Sequence, residues 1–586
     1  MQQFFPIISW LSKYKKKDLS KDLIAGITLG IILIPQGMAY AIIAGMPPVY
    51  GLYAAVVPLI MYALMGTSRQ LAIGPVAMDS LLVAAGLGTL GITGLENYIA
   101  MALLLSFMVG AFQWILGILR MGFLVNFLSK PVISGFTSGA ALIIMFSQLK
   151  HLTGTSIERS NQFHKLVLNA FKELPTTNSY DLIIGILGII IIVGVKKWNK
   201  KIPAILFVVI LGILGVYFFS LTSVDVKIVG EIQQGLPSFK IPDFNWENMV
   251  DLWPIALTLA LVGYMEAISI GKALEDKSGM ETIDANQELV ALGTSNMVGS
   301  FFQSYPVTAS FSRSAINGES GARTPLATLL SVVMVVVVLL FFTPFFYYLP
   351  KAALASIIMV SVFGLIDVSY AKNLWKYRRD EFVVLIFTFL ITLFIGIKEG
   401  ILIGVLFALL LMVYRTSKPH FAVLGNIRNS DYYKNVNRFG DELIIREDLL
   451  IVRFDAQLYF GNSTFFKTQL FKHIREKGPN LKGVILNAEA INYIDSTATK
   501  MLIKLIGDIH AKGLQFYIAG SIGPTRDIIF NSGIIDALER KFLFVKTKEA
   551  VAYFDDPSTL SDLQGKVAYQ NQIEEQPINI VQNYND

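Results

Sequence analysis

Ile73-Gly74-Pro75-Val76-Ala77-Met78-Asp79-Ser80 and Tyr305-Pro306-Val307-Thr308-Ala309-Ser310-Phe311-Ser312-Arg313 repeat one pattern inside a long apolar region. Each sets a proline ahead of small and hydroxyl residues and opens a helix too short to cross a bilayer alone. Proline lacks an N–H, and its fixed φ suits the first helical turn. The pattern therefore predicts helices beginning at Pro75 and Pro306 in the membrane interior, each presenting free N–H groups and the positive end of its dipole. Two such starts facing each other suit an anion. Unsatisfied backbone is costly against lipid, so both must line a protein-enclosed cavity. The plainer reading is that Pro and Gly merely kink ordinary spans. Recurrence at matching places weighs against it.

Outward from these stretches the match continues. Ile34-Pro35-Gln36-Gly37-Met38-Ala39-Tyr40 sets an amide and a phenol inside an apolar span, and Gly263-Tyr264-Met265-Glu266 sets a carboxyl in another. Gln36 precedes Pro75 by 39 positions, and Glu266 precedes Pro306 by 40. Such spacing suggests a duplicated unit of about seven spans, and an odd number inverts the second copy. Between Ile24 and Tyr414 we count about fourteen apolar segments, many of them roughly 17–25 residues long. Their centres lie near Ile34, Val57, Leu82, Leu105, Ala140, Ile189, Val209, Leu259, Val298, Ser312, Val335, Ile358, Phe389 and Leu406. With the N-terminus inside, basic clusters at Arg69, Arg120 to Lys130, Lys196 to Lys201, Arg323, Lys372 to Arg379 and Arg415 to Lys418 fall on the cytoplasmic side. Both termini are then cytoplasmic. The stretch Lys13 to Lys21 reads as a cytoplasmic anchor, since no small-residue cleavage pattern follows it.

Composition agrees. Of 586 residues, 54% are hydrophobic and 16% charged, against roughly 45–50% apolar in soluble domains. The net charge of +6 comes from clusters beside apolar runs, which argues against nucleic-acid binding. No cysteine is present, so disulfides, thiolate metal sites and cysteine nucleophiles are excluded. Five histidines without HExxH or paired spacing make a catalytic metal unexpected. No cofactor is implied, and no nucleophile, metal or phosphate-loop constellation points to an enzyme.

After Pro419 the pattern turns soluble. The reading divides the chain into a cytoplasmic segment 1–21, a membrane region 22–418, a polar linker 419–441, an α/β domain 442–555 and an irregular tail 556–586. Strands are expected over Leu449 to Phe460, Gly483 to Leu486, Leu514 to Ala519 and Phe542 to Val545. Helices are expected over Asn462 to Arg475, Ser496 to Ala511 and Thr525 to Asn531.

Several polar residues stand out in the membrane region. A carboxyl at Glu266 costs about 3 kcal/mol mid-span and commonly marks a pathway or proton relay, although an interhelical hydrogen bond would also hold it. Arg313 could add a full charge beside the helix dipoles or snorkel to the interface. Ser80, Thr308, Ser310 and Ser312 together offer donors to an oxyanion. Asp79 would repel an anion unless protonated or paired with a cation such as Arg313, and it could equally serve a cation or proton site.

The run Ile34-Pro35-Gln36 to Ala41, Gly74-Pro75-Val76-Ala77, Ser310-Phe311-Ser312-Arg313-Ser314 and the C-terminal pattern together resemble the SulP, or solute carrier 26, family of anion transporters. The resemblance runs from about Lys21 to Asp555. It implies a polytopic α-helical fold of about fourteen segments in a seven-plus-seven inverted repeat, with core and gate domains in an elevator-type cycle. A homodimer and a C-terminal STAS domain are implied too, as is an anion held between the third and tenth helices. By motif, the substrate residues would be Gln36, Tyr40, Ala77, Ser80, Ser312 and Arg313, with Thr308 and Ala309 at the second helix start. Glu266 falls where proton-coupled members carry an acid. Sodium-coupled bicarbonate members have an Asp followed four positions later by a Thr, whereas Ile270 stands four after Glu266.

The reading that follows is proton-coupled sulfate uptake in the inner membrane. Alternatives are bicarbonate, dicarboxylate or anion exchange, and, from another class, an anion sensor signalling through the STAS domain. There Thr497, the second hydroxyl after Asp495, matches the phosphorylation point of anti-sigma antagonists, while Asp495 and Ser496 also read as ordinary helix caps.

Overall fold

The computed structural model describes residues 5–12, 14–123, 129–157, 163–199, 203–278 and 283–559. It divides into two compact units, 1–409 and 410–586. The expected irregular tail lies outside the described residues from 560 onward.

The first unit is a multi-pass membrane bundle. Its principal helices are α1 (Lys16–Ile43), α2 (Val57–Met65), α3 (Ala77–Gly88), α4 (Leu95–Ile118), α5 (Lys130–Ser147), α6 (Ser179–Trp198) and α7 (Ala204–Phe218). They continue with α8 (Trp246–Ser278), α9 (Ala285–Ser300), α10 (Phe311–Glu319), α11 (Leu326–Val337), α12 (Lys351–Phe363) and α13 (Arg379–Phe394), and α14 (Ile397–Ser417) begins in this unit and runs past its boundary at Leu409. Among the described residues, nine helical stretches are long and apolar enough to cross a membrane. On α6 the exposed residues Ile183, Ile186, Leu187, Ile190 and Val193 recur at helical spacing. That apolar stripe suits a hydrocarbon solvent and would be a liability in water.

Between helices, small residues allow close approach. A Cβ on Gly110 of α4 would lie 2.5 Å from the Met297 backbone nitrogen and 2.6 Å from the Gly293 carbonyl of α9. Only glycine lets these two backbones meet. Packing pairs recur with an offset of seven in helix number: α4–α9 matches α11–α2, α8–α4 matches α1–α11, and α6–α12 matches α13–α5. Helices α1 to α4 and α8 to α11 pack mainly on one another, as do α5 to α7 with α12 and α13.

The short helices differ from expectation at their starts. α3 begins at Ala77 after an N-cap at Val76, and α10 begins at Phe311 after an N-cap at Ser310. Pro75 and Pro306 instead sit in the extended runs leading in. Those runs contain β1 (Ile73–Gly74) and β2 (Thr308–Ala309), which pair antiparallel with Ile73 opposite Ala309 and Gly74 opposite Thr308. Proline cannot donate to a ladder, and the residue before it avoids the helical region, so Pro75 ends the strand where pairing stops.

The second unit is a mixed sheet flanked by helices, built from β3 (Phe421–Ile427), β4 (Tyr433–Asn435), β5 (Leu443–Ile444), β6 (Leu449–Phe454), α15 (Ser463–Lys477) and β7 (Gly483–Asn487). It continues with α16 (Ser496–His510), β8 (Gln515–Ala519), α17 (Gly523–Asn531), β9 (Leu543–Phe544) and α18 (Thr547–Asp555). The order is β4-β3-β6-β7-β8-β9, with β6 to β9 parallel and β3 antiparallel to β6. On β6, Leu450, Val452 and Phe454 join the core that contains α15 and α16 side chains. Leu449 and Ile451 turn to the other face, with Ala550 and Tyr553 of α18. This period of two buries both faces. The stretch 419–441, read as a linker, carries β3 and β4. β3 is an inner strand, paired with β6 on one side and with β4 and β5 on the other; Phe421 and Val423 face one core, and Ala422 and Leu424 the other. The expected strand Leu449 to Phe460 stops at Phe454, and Leu458 makes only an isolated bridge to Ile494.

Candidate functional site

The pairing of β1 with β2 brings the starts of α3 and α10 together. Additional bonds extend it: the Ser310 amide donates to the Ala72 carbonyl at 2.9 Å, and the Ala72 amide donates to Ser314 Oγ at 2.9 Å. Upstream, Asn296 on α9 acts as a surrogate strand. Its Oδ1 accepts from the Val307 amide at 2.8 Å, and its Nδ2 donates to the Val307 carbonyl at 3.0 Å and to Gln113 Oε1 at 3.1 Å. Gln113 on α4 in turn donates to the Ala260 carbonyl of α8 at 3.2 Å. This relay satisfies backbone that could find no water in a membrane.

Leading into β1, Glu288 of α9 accepts from the Tyr62 hydroxyl at 2.8 Å, from the Thr67 amide at 2.7 Å and from the Ser68 amide at 3.2 Å. The loop after α2 is thereby pinned. At Gly74 φ is +136°, and a Cβ there would lie 3.3 Å from Arg313 Nη2. Both the backbone conformation and the neighbouring guanidinium favour glycine.

Arg313 is fully buried, so the snorkelling alternative fails. Its Nη1 donates to the Pro75 carbonyl at 2.7 Å, while Nε and Nη2 have no protein acceptor. A buried guanidinium with open donors is costly unless a negative group completes it. Tyr40 and Tyr305 are its electrostatic neighbours, and Tyr40 also faces Ser361 of α12. Tyr305 Oη and Ser80 Oγ lie 3.2 Å apart, and both residues are buried. Hydroxyls, guanidinium and paired helix starts thus converge on one polar region. Such a set can desolvate and hold an oxyanion through charge-assisted hydrogen bonds.

Among the residues singled out from the sequence, Gln36, Tyr40, Ala77, Ser80, Ala309 and Arg313 are buried. Gln36 and Tyr40 stand one turn apart on α1, so they share a face. Gln36 Oε1 is a buried acceptor without a partner. Ala77 is the first residue of α3 and Ala309 the last of β2, so they act through backbone. Thr308 is buried, but its hydroxyl donates to the Gly263 carbonyl at 2.7 Å, which ties β2 to α8. Ser312 departs from the set: it is exposed. Asp79 is buried beside Ser80 and, among the described residues, makes no ion pair with Arg313, so that pairing alternative is not realised. Glu266 is partly buried on α8 with Oε2 unpartnered. Sequence reading assigned no role to Tyr305 or Asn296. Their signal was a polar group in an apolar run, shared with many side chains that only satisfy backbone.

In the second unit, Asp495 caps α16: Oδ1 accepts from the Ala498 amide at 2.7 Å and Oδ2 from the Phe460 amide at 2.8 Å. Thr497 is exposed in the first turn. Elsewhere in this unit, burial pushes the Asp455 carboxyl up, but hydrogen bonds from Arg453 and His420 outweigh it and hold it below the usual range.

Comparison with known proteins follows the same division. The Sulfate permease family model matches residues 19–388, and the STAS domain model matches 442–551. Sulfate transporter 4.1, chloroplastic, of Arabidopsis thaliana is 37% identical over 93% of this chain and 82% of its own length. The structure of murine Solute Carrier 26 family member A9, an anion transporter in the inward-facing state, superposes with a TM-score of 0.87 at 27% identity. It covers 94% of each chain. The transmembrane domain of the cyanobacterial bicarbonate transporter BicA gives a TM-score of 0.57 at 25% identity, covering 67% of this chain and 98% of that one.

Proposed function

This chain belongs to the sulfate permease family, and from that premise we propose that it is a secondary transporter of inorganic oxyanions that takes up sulfate together with protons. The observation that carries the reading is Arg313: fully buried, with two guanidinium nitrogens open beside the paired starts of α3 and α10. Tyr40, Ser80 and Tyr305 would add donors, and Gln36 would orient the anion from α1. Ser312, being exposed, would reach the anion only after rearrangement. The Arabidopsis relative is named for sulfate, which supports that cargo.

Moving a dianion inward against an inside-negative potential costs about 4.6 kcal/mol per 100 mV, from about 2.3 for each charge. Two protons would cancel that charge. Glu266, on the helix that Thr308 ties to β2, is the proposed proton carrier. The helix pairs that recur with an offset of seven support an inverted repeat. Tyr40 faces Ser361 of the other helix group, so the proposed site would lie where the two groups meet. That placement supports an elevator-type movement of one group against the other. A homodimer in an inner membrane with cytoplasmic termini completes the proposal.

Uptake of labelled sulfate into proteoliposomes under an imposed pH gradient tests it. Wild type should accumulate sulfate with the proton-rich side outside, and Glu266→Gln should lose the response. Equal responses would sink coupling through Glu266. Likeness to BicA keeps bicarbonate as the second cargo, to be compared in the same assay.

A further inference from the structure

Asp79 is the third residue of α3, next to Ser80 at the anion site, and it has no role in the reading above. The residue is 2% exposed, and Oδ1 has no protein partner. Across from it, α8 has no side chain at Gly263. A Cβ there would lie 3.4 Å from Asp79 Oδ2 and 3.1 Å from Thr308 Oγ1. The gap lets the Asp79 carboxyl rest against the backbone of α8. One turn along that helix stands Glu266, on the face it shares with Gly263. Glu266 Oε2 is likewise buried without a partner, and the two carboxyls are electrostatic neighbours. The other titratable group that senses Asp79 is Tyr305, with Arg313 and Tyr40 beyond it. None of these forms an ion pair with Asp79 among the described residues.

We propose that Asp79 and Glu266 are one site, a carboxyl pair that shares a single proton in the membrane interior beside the anion. Two neighbouring carboxylates, both ionised and unpaired in a medium of low dielectric, cannot both persist. A proton on one forms an O–H that donates to an oxygen of the other, and the pair carries one negative charge. When the proton leaves, the pair carries two negative charges, and the neighbouring anion position becomes repulsive. Anion and proton occupancy are then linked, each favouring the other. The inference rests on the proton-coupled reading and moves its carrier from Glu266 alone to the pair.

Infrared spectroscopy of the purified full-length protein in lipid reads the protonated carboxyl directly. At neutral pH wild type should show a carboxylic-acid C=O band that is absent from the Asp79→Asn/Glu266→Gln double variant. Each single variant should lose it too, since removing either partner relaxes the repulsion that held the proton. A band that persists in Asp79→Asn would assign the proton to Glu266 alone and overturn the pair, as would one that persists in Glu266→Gln. Loss of the wild-type band when sodium replaces potassium would make this a metal-cation site and also overturn it. Where Asp79→Asn fails to fold, Asp79→Ser serves the same purpose. If wild-type sulfate uptake ignores a pH gradient while the band behaves as expected, the transport reading fails and the pair stands. Gradient-driven uptake with a band that persists in Asp79→Asn is the reverse result.

Discussion

Arg313, on the tenth principal helix, donates through Nη1 to the carbonyl of Pro75 at 2.7 Å, joining the two helix starts that the strands β1 and β2 have already paired. One nitrogen is thereby used for positioning, and two remain for a ligand. Replacing Arg313 with Gln should weaken sulfate binding by about 2–5 kcal/mol, the range for losing one partner of a buried charge pair. Arg313→Lys should rescue only part of it, because a single ammonium cannot hold the Pro75 carbonyl and present a planar fork together. Calorimetric titration of the detergent-solubilised protein with sulfate checks both.

Gly74 opposes Thr308 with φ at +136°, and a methyl group added there would lie only 3.3 Å from Arg313 Nη2. Gly74→Ala should therefore cost about 1–3 kcal/mol through backbone strain and displace the guanidinium. We expect a lower melting temperature together with weaker sulfate binding. A variant that melts lower but binds normally would separate strain from the site.

Ser80 and Tyr305 lie 3.2 Å apart. Ser80→Ala, Tyr305→Phe and the double variant form a cycle whose coupling energy in sulfate binding should be about 0.5–1.5 kcal/mol. Strictly additive losses would mean the two hydroxyls act independently.

In the C-terminal unit, Asp495 accepts two backbone N–H groups at the start of α16. Asp495→Ala should destabilise this unit by about 1 kcal/mol, as for other lost N-caps. Thr497→Glu, in the first turn of the same helix, should be neutral or slightly stabilising, because negative charge suits a helix N-terminus. Hydrogen exchange across α16 in the full-length protein reads both changes.

The hydrogen bonds from Arg453 and His420 keep the Asp455 carboxyl below its ordinary value despite burial. A carboxyl whose folded value is lower than its unfolded value stabilises the fold above the unfolded value. That contribution is lost as pH falls through the lowered folded value. Wild type should thus lose protection of β6 from hydrogen exchange progressively below about pH 4. Asp455→Asn should start less protected near neutrality and change less over the acid range.

Hydropathy and charge placement were enough to reveal a multi-pass membrane unit followed by an α/β domain, because both follow from the solvent each residue must face. The two proline-led stretches also marked the helix starts within a few residues, since proline restricts local backbone whatever surrounds it. Local preference could not show that Pro75 and Pro306 precede helices through paired extended runs, because β1 and β2 pair across more than two hundred residues and exist only when both copies have folded. The same limit hid β3 in a stretch that reads as a linker, since the side chains that bury its Ala422 and Leu424 come from elements later in the chain.

At the site, residue type alone identified Gln36, Tyr40, Ser80 and Arg313 as polar groups in apolar spans. Tertiary structure decided their use. It buried Arg313 with open donors, left Ser312 exposed, committed the Thr308 hydroxyl to Gly263 and set Asp79 against Gly263, one turn from Glu266, without an ion pair to Arg313. Those outcomes depend on which backbone each side chain meets across helices distant in sequence. A chain read one residue at a time contains the charges, but only their packing sets which charge is neutralised within the protein and which is left for a ligand.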